Sequence, residues 1–81
     1  MNDVVAFVSE QMASQRAQLG ISLEEAAQRA EIGDERLAAA ENGETILDEA
    51  ELGRLADAYG IGVTAFFGGR VTPVQYLFGA G

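Results

Sequence analysis

The chain has 81 residues, five basic and thirteen acidic side chains, a formal net charge of -8, and no cysteine, histidine or tryptophan, which makes it one small domain at most. Without cysteine or histidine it cannot build a zinc finger, a haem ligand set, a thiol nucleophile, a histidine general base or a disulfide, so no enzyme, metal or cofactor role is expected. Apolar residues make up 48% of the chain against 22% charged, enough to bury a core where a disordered acidic tail could not.

The longest apolar run, Val4 to Val8, is five residues long and has no basic residue before it, so neither a signal peptide nor a membrane span is expected, and the cytoplasm is the expected compartment. All the cations are arginines: Arg16, Arg29, Arg36, Arg54 and Arg70. They are scattered among carboxylates, with no basic stripe to track a phosphate backbone. The bulk electrostatics disfavour nucleic acid.

In chain order, Val4, Val8, Met12 and Leu19, with Val5 and Phe7 alongside, recur at spacings near three and four and predict a first helix from about Asp3 to Leu19, ended by Gly20. Ser22 and Glu25 read as a capping box opening a second helix, Ser22 to Ala30: the hydroxyl accepts from the amide three residues on and the carboxylate reaches back. Gly33 before Asp34 and Glu35 opens a third, since carboxylates suit the unpaired amides of a first turn, and Asn42-Gly43 closes it with a left-handed cap. Leu37, Ala40 and Ala38 are its inward candidates.

Asp48 and Glu51 form another capping box, with Leu47 and Leu52 placed as a hydrophobic staple. The fourth helix then buries Leu52, Leu55, Ala56 and Tyr59 and stops at Gly60. Ile61 to Phe67 supplies two aromatic rings on a fifth helix of about one turn, ending at Gly68-Gly69. Beyond Arg70 the run from Val71 to Phe78 has β-branched and aromatic residues without helical spacing, and predicts an extended tail. The domain is thus drawn at 1–69 and an apolar tail at 70–81, with no internal repeat.

The residues Arg16, Gly20-Ile21-Ser22, Glu25-Ala26-Ala27, Leu37, Glu41-Asn42-Gly43, Leu52, Leu55-Ala56, Tyr59-Gly60-Ile61 and Phe66 or Phe67 come in a particular order and spacing. In these, from about Met12 to Phe67, the chain resembles the Cro/Xre helix-turn-helix proteins, the group containing lambdoid phage repressors and many antitoxins. The resemblance implies an all-α, five-helix, lambda-repressor-like domain acting in transcriptional control. It implies a structural pair between Arg16 and Glu41, which ties the first helix to the end of the third. It places DNA contacts on Ser22, Asp34, Glu35, Arg36, Ala39 and Asn42: base edges for the residues of the third helix, phosphate for Ser22 and Asn42.

Here the sequence departs from the family. Of the base-facing positions Asp34, Glu35, Arg36, Ala38 and Ala39, two are carboxylates and two are methyl stubs. Arg36 alone suits the two-pronged contact with guanine, and alanine can touch only a thymine methyl group. Leu23 stands where glutamine is common, Glu44 where a basic residue is, and Glu31 where the turn between the helices favours glycine. Forcing Glu31 into left-handed geometry costs ~1 to 2 kcal/mol and argues for a rebuilt turn. A carboxylate about 4 Å from a phosphate is repelled by ~1 kcal/mol in water and by more where water is excluded, so tight general DNA affinity is not expected.

Three further patterns carry less. Gly60-Ile61-Gly62-Val63-Thr64-Ala65 fits a dinucleotide fingerprint but follows a helix instead of a strand, and reads as a cap and turn. Asp48, Glu49 and Glu51 lack the spacing of a calcium loop. Ser9, Ser14 and Ser22 have no histidine to activate them.

Val71, Val74, Tyr76, Leu77 and Phe78 form too large an apolar patch to be left in water. They either fold back on the first helix near Val4, Val5 and Phe7, or reach a second subunit, and the resemblance tips towards a homodimer. Two functions follow: a Cro/Xre-type transcriptional regulator, or an interaction module on the same scaffold that has lost DNA binding and works through a partner regulator with a basic face.

Overall fold

The computed structural model describes residues 3–78. Four helices, α1 (Asp3–Leu19), α2 (Leu23–Ala30), α3 (Asp34–Glu41) and α4 (Glu49–Tyr59), are followed by a 3-10 turn at Val63–Phe66 and a short α5 (Pro73–Leu77), with no strand among the described residues. The fold is an all-α, lambda-repressor-like helix-turn-helix domain. Val8 and Met12 of α1, Ala26, Ala27 and Ala30 of α2, Leu37 and Ala40 of α3, and Leu52, Leu55, Ala56 and Tyr59 of α4 meet in one core. The alanines of α2 let the neighbouring helices approach closely.

Local rules explain most boundaries. Asp48 and Glu51 make both halves of their capping box: Glu51 N donates to Asp48 Oδ1 at 2.8 Å and Asp48 N to Glu51 Oε1 at 2.9 Å, with Leu47 and Leu52 both buried. At Ser22 half a box forms. Its hydroxyl accepts from Glu25 N at 3.0 Å, but the Glu25 carboxylate turns to Arg29, one helical turn on, instead of reaching back. A charged donor four residues away competes well against a backbone amide that water can also satisfy.

Two departures concern α1 and the segment after α4. Leu19 was expected on the buried stripe of α1, but Ala17, Gln18 and Leu19 are all exposed because the helix runs a turn beyond the core. The predicted fifth helix is a four-residue 3-10 turn, whose Phe66 meets Tyr59 edge-on at a centroid distance of 6.2 Å.

The tail is not extended. Thr72 accepts from Gln75 N at 3.1 Å, Gln75 returns the favour to Thr72 N at 2.8 Å, and Pro73 sits in the first turn, so a full capping box starts α5. Tyr76 is fully buried. Its ring lies edge-on to Phe67 at 6.0 Å and its hydroxyl accepts from Leu47 N at 3.1 Å. Of the apolar tail residues, Val71 and Leu77 are half-buried against the same core, while Val74 and Phe78 face solvent. The last part of the expected tail, residues 79–81, lies outside the described residues.

Candidate nucleic-acid interface

α2, the turn at Glu31 and α3 together form the unit on which a groove-reading surface would be built. Ile32 N bonds to Ala27 O at 2.9 Å and Glu31 N to Gln28 O at 3.2 Å, with Glu31 itself at φ 56° and ψ 45°. This is the closure that glycine normally provides, so the turn is kept with a glutamate in left-handed geometry and is not rebuilt. Arg54 supports it from α4: Nε donates to Ala30 O at 2.8 Å and Nη2 lies 3.5 Å from Glu31 O.

Leu37 and Ala40 anchor the inner side of α3, and its far end is fixed by Arg16. Nε and Nη2 of Arg16 donate to the two oxygens of Glu41 at 2.8 and 2.9 Å, and Nη1 donates to Ile21 O at 3.1 Å. The Glu41 side chain is only 8% exposed. The bonded carboxylate raises the pKa of Arg16. Gly43, at φ 77°, then closes α3 through Glu44 N to Ala39 O at 2.9 Å.

The face that remains outward carries Ser22, Asp34, Glu35, Arg36 and Asn42, all exposed, with Ala38 and Ala39 half-buried between them. Glu31 and Glu44 flank it and are also exposed. Among the described residues none of these four carboxylates, Glu31, Asp34, Glu35 and Glu44, makes an ion pair. Arg36 is not extended towards solvent. Its Nε and Nη2 donate to Glu51 at 2.6 and 2.7 Å, and Nη2 also donates to Ile46 O at 3.2 Å. This bonding holds the Glu51 carboxyl below its usual range, first through Arg36 and further through the amide of Asp48.

All five arginines are therefore engaged inside the chain. Arg16, Arg29 and Arg36 pair with Glu41, Glu25 and Glu51; Arg54 holds the turn; Arg70 lies over the Phe7 ring at 5.5 Å. The roles of Glu51 and Arg54 are not visible in the sequence. Glu51 reads there only as the fourth residue of a capping box, and Arg54 only as one of five arginines scattered among carboxylates.

Two short helices, α2 and α3, joined by a tight turn on a small all-α core, with one face of the second exposed, define a helix-turn-helix domain. The helix-turn-helix family model matches residues 12–66, more than half the chain, and the protein belongs to this family, in its Cro/Xre branch. Searches of the curated proteins and of the solved structures each returned no match. No helix among the described residues is long and apolar enough to cross a membrane.

Proposed function

We propose that the protein is a cytoplasmic Cro/Xre-type regulator of transcription that meets DNA through α3. The observation that carries this reading is the intact unit of α2, turn and α3, braced on two sides and presenting α3 outward. Arg36 is the main base reader, Ala39 offers a methyl contact, Ser22 and Asn42 hold phosphate, and Asp34 or Glu35 restricts the choice of base by accepting from cytosine amino groups. With four unpaired carboxylates around that face, affinity for arbitrary duplex is low and depends on the right sequence.

One observation favours a second reading. Because each arginine already has a contact within the chain, four by hydrogen bonds and Arg70 over the Phe7 ring, the scaffold has little free positive charge to offer phosphate among the described residues, and it then serves as an interaction module that reaches transcription through a protein with a basic face. Exposed Val74 and Phe78 are the residues of the tail left to pair in a homodimer.

Titration into mixed-sequence duplex at low salt separates the two. A DNA reader binds measurably and weakens as salt rises, whereas an interaction module shows no binding at the lowest ionic strength. Replacing Asp34 and Glu35 by glutamine strengthens duplex binding if those carboxylates obstruct the groove, and weakens it if they read bases.

A further inference from the structure

We propose that Glu51 is a latch on Arg36: the ion pair keeps the one cation of α3 folded against the start of α4, and duplex is gripped through α3 only when that pair opens. The inference rests on α3 being the probe helix.

The geometry makes the two partners unequal. Glu51 is fixed, because its Oε1 also accepts from Asp48 N at 2.9 Å as part of the α4 cap and its side chain is only 12% exposed. Arg36 is the movable member, at 43% exposed. A guanidinium contacts guanine through two of its nitrogens at once. Here Nε and Nη2 are both committed to the Glu51 carboxylate, Nη2 carries a second bond to Ile46 O, and Nη1 alone stays outside these bonds. With one Nη2 hydrogen on Glu51 and the other on Ile46 O, two-pronged base reading requires the guanidinium to leave this seat, which Glu51 holds with two of its three bonds.

Arg36 is also the only basic residue between Asp34 and Glu41. Closing the latch leaves the face with carboxylates, methyl groups and amide or hydroxyl donors alone. Opening it delivers one positive charge to the middle of that face.

The latch can be opened without dismantling the helix start, because glutamine is accepted at the fourth position of a capping box. E51Q keeps that acceptor and removes the charge. E49Q makes the same change in net charge two residues away, at a position that does not touch Arg36. E51D keeps the charge but shortens the arm, so it guards against an effect of charge alone or of an unfolded E51Q. Each variant is titrated into mixed-sequence duplex across a salt series, with circular dichroism checking that it remains folded.

The latch predicts that E51Q and E51D each bind roughly two- to fivefold more tightly than E49Q, the gain expected from releasing a partly exposed pair. It also predicts a salt dependence steeper by about one phosphate contact, and loss of the gain in R36A/E51Q. Equal binding by E51Q and E49Q, or a gain that survives R36A, overturns it. Native protein that fails to bind while E51Q binds leaves the latch standing and refutes direct DNA contact by the native chain. Native protein that binds as well as E51Q does the reverse.

Discussion

At the α3 end three arginines cross element boundaries, Arg16 to Glu41, Arg36 to Glu51 and Arg54 to the carbonyl groups at the end of α2. At the α5 end the Tyr76 ring meets Phe67 edge-on, Phe66 meets Tyr59 of α4, and the Tyr76 hydroxyl accepts one hydrogen bond, from Leu47. The two ends use different physics for the same task. Buried rings supply stability through area and dispersion, while paired charges return little net energy but fix orientation. In a chain with five cations the second method has a cost of its own, since each arginine used to orient a helix is one fewer for an anionic ligand.

Substitutions sharpen the contrast. Tyr76→Ala empties the aromatic end and is expected to destabilise by about 3 to 5 kcal/mol, measured by denaturant unfolding. A smaller loss than for an ordinary exposed side chain would mean that α5 is an ornament. Glu41→Ala leaves a mostly buried guanidinium without its partner and is expected to cost about 3 kcal/mol, although the intact pair contributes far less than that.

The two tyrosines give the closest comparison. Tyr76→Phe strands the buried amide of Leu47 and is expected to cost about 1 to 2 kcal/mol, whereas Tyr59→Phe removes a buried hydroxyl that has no partner and is expected to be neutral or slightly stabilising. Burial pushes the Tyr59 hydroxyl up to about 12 and raises that of Tyr76 as well. The unfolded chain gives up those protons near pH 10 and the folded one does not. Stability is therefore complete below about pH 10 and declines as pH rises from there towards 12, which thermal melts across that window will register.

At Glu31 a modest gain is expected. Glu31→Gly relieves the left-handed strain in the turn and is expected to stabilise by about 1 kcal/mol, raising the melting temperature by roughly 4 to 8 °C. If melting falls instead, Glu31 makes a contribution that its backbone angles do not reveal.

What the sequence disclosed was local. The Asp48–Glu51 box, the closure at Gly43 and the buried stripe of α4 each rest on residues within one or two turns, and each is present in the structure. The α5 signal was present too: Thr72-Pro73-Val74-Gln75 spells a capping box with proline in the first turn, but a five-residue helix is too short to show a period, and the β-branched residues read as extended. Arg36 with Glu51 and Arg54 with Ala30 lie 15 and 24 residues apart, and no spacing rule pairs them. The outward position of Asp34 and Glu35 was legible from the family pattern; the engagement of Arg36 required coordinates.

Three consecutive residues splice the two ends together. Ile46 gives its carbonyl to Arg36, Leu47 gives its amide to Tyr76, and Asp48 gives its amide to Glu51. The residue that holds Tyr76 of α5 is thus flanked, one peptide unit either side, by the contacts of both members of the Arg36–Glu51 pair. The last helix and α3 share one stretch of main chain, each tied to it by a single side chain, Tyr76 on one side and Arg36 on the other.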